Sequence, residues 1–169
     1  EMCIRDRITN LNGLVGRILP PLKKTEHVLG MQGQVWTETI RTKDQLQTMI
    51  FPRVMVLAER AWFKAGWEGD HPNAQKRAAE WRDFSSTLVT KEFPKLEQAG
   101  AKFYLPPPGG LKTNGKLSAN SSLPGLAIEY STNGGKSWVA YQTEVDVGNS
   151  PVLLRSRVAS VVSATATLD

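Results

Sequence analysis

Five residues, Pro106-Pro107-Pro108-Gly109-Gly110, divide this sequence into two parts that follow different rules. A proline ring fixes φ and removes an amide donor, so neither a regular helix nor a central strand passes through such a run. Before it, apolar residues recur every three or four positions. After it they come in short alternating runs bounded by turn residues. The two patterns predict α/β structure followed by a small β unit, with the proline run read as a short semi-rigid spacer.

Two or three helices are predicted before the spacer. Thr42 can cap a helix and Gln45, three residues on, can complete a capping box. Leu46, Met49, Ile50, Val54, Leu57, Ala58, Ala61 and Trp62 then form one apolar stripe, which Pro52 should kink or split and Gly66 and Gly69 should end. A second amphipathic pattern runs from Asn73 to Val89 and a shorter one from Lys91 to Ala99, closed by Gly100. Trp62, Trp67 and Trp81 read as core residues of these helices, as do Met49, Phe51 and Met55.

Beyond the spacer, strands are predicted over 111–117, 126–131, 138–145, 152–158 and 161–168. Asn133-Gly134-Gly135 is a strong hairpin signal.

Val28 to Glu38 alternates two chemistries. Leu29, Met31, Gly33 and Val35 fall on a side suited to burial under helices; Gly30, Gln32, Gln34, Trp36 and Glu38 fall on the other. A strand with that second side is expected to line a cavity. One strand cannot satisfy its backbone alone, so this segment is expected to be the tail of a larger α/β domain. On spacing alone Trp36 is more often core, and Glu38 more often a helix-dipole partner. Residues 1–7 read as a non-native leader and 8–25 as irregular connection.

Charge and cysteine usage exclude several function classes. The 21 lysines and arginines exceed the 16 acidic residues by 21 − 16 = 5, but no run of like charges clusters them, so no nucleic-acid partner is expected. No apolar run is long enough for a transmembrane segment. Cys3 is the only cysteine, which forbids an intrachain disulfide. His27 and His71 stand far apart without ligand-spaced companions, so no metal site is expected.

Residues 30–40, GMQGQVWTETI, and 51–62, FPRVMVLAERAW, resemble the end of the catalytic domain of glycoside hydrolase family 20, the β-N-acetylhexosaminidases. KFYLPPPGG from residue 102, GKLSAN and LPGLAIEYSTNGGKSW resemble the tail of the bacterial chitobiases within that family. The resemblance implies a (β/α)8 TIM barrel whose last strand-helix unit and trailing helices occupy residues 26–104. An immunoglobulin-like β-sandwich would follow over residues 105–169. It also implies an exo-acting enzyme, without cofactor, that releases terminal N-acetylhexosamine from chitobiose and chitooligosaccharides. The parent protein would then be periplasmic, cell-surface or secreted.

Carried over by position, Trp36 matches the tryptophan that walls the terminal-sugar pocket, and Glu38 the glutamate that accepts hydrogen bonds from the sugar's C4 and C6 hydroxyls. Gln32 and Gln34 would be barrel-interior residues. The family's substrate-assisted mechanism uses an Asp-Glu pair, and the sequence contains no Asp-Glu dipeptide. The chain by itself is therefore expected to be inactive, its partners being an N-acetylglucosamine-containing oligosaccharide and the missing N-terminal part of the enzyme. Partial disorder or aggregation of residues 1–100 in isolation is a further expectation.

The rival reading is a non-catalytic glycan-binding or scaffolding β module, for which Trp138, Tyr130 and Tyr141 are the available aromatics. Ser131 to Trp138 also resembles the Asp-box hairpin of sialidase-type propellers, with Asn133 in the aspartate's place. A propeller needs several copies, and a single copy points to a small sandwich.

Overall fold

The computed structural model describes residue 24, residues 29–67 and residues 73–169. The leader and most of the connection over 1–25, with His27, Val28, Gly69, Asp70 and His71, lie outside the described residues. The chain divides into two units, 1–32 and 33–169. In the first, the described residues hold neither helix nor strand. Every helix and strand among the described residues belongs to the second.

Helix α1 spans Lys43–Ile50 and begins in the expected capping box: Gln45 N–H donates to Thr42 Oγ1 at 3.1 Å, and Thr42 N–H donates to Gln45 Oε1 at 3.2 Å. Pro52 splits the stripe rather than bending it, and α2 runs over Arg53–Trp62. That helix ends at Trp62, four residues before Gly66, with Phe63 N–H still bonded to the Glu59 carbonyl at 2.9 Å.

Helix α3 spans Ala74–Thr87, capped by Asn73 Oδ1 accepting from Lys76 N–H at 2.9 Å. It does not stop before the next helix. A π-helical turn over Leu88–Glu92 leads directly into α4, Phe93–Gln98, so the two expected helices form one continuous rod. The physical reason is Pro94: its ring would collide with the carbonyl four residues back, and the turn before it widens so that Phe93 N–H reaches Leu88 O. Gly100, at φ +69°, closes α4 as expected.

Eight strands follow: β1 Gly109–Thr113, β2 Lys116–Asn120, β3 Ala127–Ser131, β4 Val139–Tyr141, β5 Val145–Asp146, β6 Val152–Val158, β7 Val161–Val162 and β8 Ala166–Leu168. They form two antiparallel sheets, β1-β2-β5 and β4-β3-β6-β7, with β8 also pairing β6. The run expected as one strand over 111–117 is a hairpin turning at Asn114-Gly115. The run over 138–145 changes sheets, β4 pairing β3 while β5 pairs β2. The run over 161–168 breaks into β7 and β8.

Between the sheets, Leu117 of β2 packs with Ile128, Val152 and Leu154 of β3 and β6. A second core joins the helices to the β unit: Leu88, Val89 and Phe93 meet Phe103, Leu105, Leu123, Leu126 and Val158. Phe93 and Phe103 stack with centroids 4.8 Å apart. Strand β6 contributes to both, Val152 and Leu154 to the first and Val158 to the second. The proline run is therefore packed structure rather than a spacer. Helix α4 ends at Gln98 and β1 begins at Gly109, and the second core spans the segment between them through Phe103 and Leu105.

The observed architecture is thus a helical part followed by a small β-rich domain. Of the strand expected over 28–38, the described residues form none: residues 29–37 carry no ladder. A lone strand has no neighbour to hydrogen-bond with, and strand geometry is held by such neighbours.

Candidate functional site

The segment ahead of α1 is fixed at two places. Gly33 lies against α2 so closely that a Cβ there would sit 2.6 Å from Leu57 Cδ2, which leaves glycine the only residue that fits without moving the leucine. At the other end, Ile40 N–H donates to the Thr37 carbonyl at 3.1 Å, closing a turn with Glu38 inside it. Arg41 reaches back over that turn, its Nη1 donating to the Glu38 carbonyl at 2.6 Å while its amide N–H bonds Gln45 Oε1 at 2.7 Å.

Between these fixed points, Trp36 is 74% exposed and Glu38 is exposed as well. Trp36 is not a core residue in this chain. The Glu38 carboxylate has no hydrogen bond or ion pair among the described residues, since Arg41 bonds its backbone rather than its side chain. An indole and an uncommitted carboxylate two residues apart can offer a flat apolar face and a hydroxyl acceptor to one ligand. Gln34 is likewise exposed.

The other tryptophans divide. Trp67 is buried, with the guanidinium carbons of Arg60 and Arg77 at 5.1 Å and 5.9 Å from its ring centroid. Trp81 lies 6.0 Å from Phe84 and is partly exposed. Trp62, expected in the core, is 91% exposed and borders a groove with Met55, Ala58, Phe84 and Leu88. Its stripe is broader than the surface that α3 covers. Met49 is also exposed, whereas Phe51 and Met55 do pack on the shared core.

In the β unit, the Ser131-to-Trp138 hairpin is stapled by its own side chains. Asn133 Oδ1 accepts from Ser131 Oγ at 2.8 Å and Ser137 N–H at 3.0 Å, and Asn133 Nδ2 donates to Ser137 Oγ at 2.8 Å. Trp138 lies beneath Arg155, whose guanidinium carbon is 4.0 Å from the ring centroid. Tyr130 and Tyr141 pack towards the inter-sheet core, and Tyr141 Oη accepts from Ala119 N–H at 3.0 Å. These aromatics are committed to structure, so they do not form an open platform on the sheet.

Glu129 is the one described carboxylate with a displaced pKa. Burial acts to raise it, but hydrogen bonds at 2.6 Å from Arg155 Nε and 2.7 Å from Arg157 Nε outweigh burial and leave it below the usual carboxylate range. That makes it a structural anion rather than a proton donor. Among the described residues, no group of three histidine, cysteine, aspartate or glutamate side chains could hold a metal ion. No helix among them is long and apolar enough to cross a membrane.

Residues 13–65 match the family model described as glycosyl hydrolase family 20, catalytic domain, and residues 92–162 match the chitobiase/beta-hexosaminidase C-terminal domain. The first match contains Trp36 and Glu38. The second begins inside the π-helical turn, ahead of the proline run, where the shared core also begins. A beta-hexosaminidase of Vibrio vulnificus is 37% identical over 155 residues, covering 79% of this chain and 18% of that protein. An N,N'-diacetylchitobiase of Vibrio harveyi is 36% identical over 124 residues, covering 66% of this chain and 14% of that one. A beta-N-acetylhexosaminidase of Cellulomonas fimi is 29% identical over 82 residues, 48% of this chain and 14% of the relative. The chain thus spans less than a fifth of the length of these relatives.

Proposed function

We propose that the chain is a glycosyl hydrolase family 20 member, the end of an exo-acting β-N-acetylhexosaminidase of the chitobiase type. Residues 26–104 would complete a (β/α)8 barrel, the segment around Trp36 becoming its last strand once neighbouring strands supply hydrogen-bond partners. The β unit would be its immunoglobulin-like C-terminal domain. The substrate would be terminal N-acetylglucosamine on chitobiose or short chitooligosaccharides, met in the periplasm, at the cell surface or outside the cell.

In that reading the sugar's 2-acetamido oxygen attacks the anomeric carbon, an aspartate orients the acetamido group, and a neighbouring glutamate protonates the leaving oxygen. This sequence holds no Asp-Glu dipeptide, so its part is recognition. Trp36 would stack on the pyranose and exclude water from one face. Glu38 would accept from the C4 and C6 hydroxyls, which selects an unsubstituted terminal sugar. The observation that carries the reading is the exposed Trp36-Glu38 pair, its carboxylate without a partner among the described residues, ahead of a capped α1 and inside the segment matched to the catalytic-domain family.

The test is a chimera in which residues 26–169 replace the aligned end of the Vibrio vulnificus relative. The 169-residue chain alone should not turn over a chromogenic N-acetylglucosaminide, and the chimera should. A folded, active chimera whose KM is indifferent to Trp36→Ala and Glu38→Gln would overturn the assignment of these two residues.

A further inference from the structure

Two hairpin turns of the β unit contain an Asn-Gly pair, Asn114-Gly115 and Asn133-Gly134, and the fold treats them differently. The first joins β1 to β2 in a two-residue turn, Thr113 pairing directly with Lys116. Both turn residues hold positive φ, 51° at Asn114 and 77° at Gly115, as a type I′ turn demands. Asn114 is exposed and its side chain has no hydrogen bond among the described residues. The second pair is clamped by the three Asn133 side-chain hydrogen bonds described above.

From this contrast we propose that Asn114 is a site of spontaneous deamidation and backbone isomerisation in the folded protein, and that Asn133 is protected from it. The Gly115 backbone nitrogen attacks Asn114 Cγ, forming a C–N bond and breaking the bond from Cγ to the side-chain nitrogen. The proton from the Gly115 nitrogen leaves with that amide as ammonia. Water then opens the cyclic imide at either carbonyl, giving aspartate or isoaspartate, and no further reactant is needed. Glycine favours the attack because it places no side chain beside the nucleophile, and its positive φ here is what keeps glycine in the turn. The turn chemistry that sets the register of β1 on β2 therefore brings the reactive pair with it.

Isoaspartate adds a methylene to the main chain of a turn that has no spare residue. Gly115 also holds β5 in place, its carbonyl accepting from Val147 N–H at 2.8 Å. Modification at Asn114 should therefore loosen the β1-β2-β5 sheet.

At Asn133 the carboxamide must first release three hydrogen bonds, each worth about 1 kcal/mol, which makes the reacting conformer roughly a hundredfold rarer. The full 169-residue chain, aged in warm, mildly alkaline buffer and mapped by peptide mass spectrometry, should show aspartate and isoaspartate at Asn114 at least about tenfold faster than at Asn133. The same chain aged in urea should lose that difference. Asn114→Gly, which keeps the positive φ, should abolish the modification and leave the fold intact. Equal rates at the two sites in the folded chain, or an unmodified Asn114, would overturn the proposal.

Discussion

The hydroxyl of Ser156, fully buried in the middle of β6, donates to the carbonyl of Pro106 at 2.7 Å. This bond fastens the proline run to the central strand of the five-stranded sheet, and the backbone N–H of Ser156 is occupied in turn by Ser163 Oγ at 2.9 Å. Ser156→Ala should leave the Pro106 carbonyl without that partner and destabilise the chain by about 1–3 kcal/mol. Urea denaturation monitored by tryptophan fluorescence measures it, and an unchanged midpoint would show that the bond contributes nothing.

Phe93 tests whether helices and sheets form one cooperative unit. It is completely buried and stacked on Phe103 across the change from helix to strand. Phe93→Ala should cost about 3–5 kcal/mol. Because the core is shared, helical circular dichroism and the fluorescence of Trp138 should lose their cooperative transitions together. Separate transitions in the unmutated chain would contradict a single unit.

Helix α1 contains no buried residue, so its capping box is a large share of its local support. Thr42→Ala removes the acceptor for Gln45 N–H and should destabilise that helix by about 1 kcal/mol. Faster amide exchange across Lys43–Ile50, with the β unit unaffected, is the expected signature.

Acid sensitivity should centre on Glu129. Its folded pKa lies below the ordinary 4.5, so between the two values the unfolded chain binds the extra proton. Its contribution is therefore complete above the unfolded value and is lost as pH falls through the folded one. Denaturation midpoints should decline over that window in the unmutated chain. Glu129→Gln should be less stable at neutral pH and flatter on acidification; an equally steep decline would assign the acid response to other carboxylates.

In the chimera, Glu38→Gln exchanges a charged acceptor for a neutral one while Trp36 still stacks. A loss of about 1.5–3 kcal/mol corresponds to roughly a tenfold to hundredfold rise in KM for a terminal N-acetylglucosaminide. Trp36→Ala should raise KM at least as much, because it removes the apolar face as well as the ring's positioning.

Features that depend on neighbours within about four residues were legible in the sequence. The Thr42-Gln45 box, the break at Pro52, the helix start near Asn73, the Gly100 stop and the Asn133-Gly134-Gly135 turn all form where the residue types place them. Asn114-Gly115 carried an equally clear signal, and a long alternating run around it hid the turn. The Trp36-Glu38 pair was legible as a motif by resemblance. Its exposure and its place between Gly33 and the Thr37–Ile40 turn are decided by the tertiary structure alone.

Partner choice was decided only by the tertiary structure. Alternation says that a residue has a buried side, but not against which strand or helix it is buried. Hence β4 and β5 part into different sheets, Val158 leaves the inter-sheet core for the helical one, and the proline run becomes packed structure. The same reason leaves residues 29–37 without a ladder: their alternation specifies a strand, and the hydrogen bonds that make one belong to neighbours that the described residues do not supply.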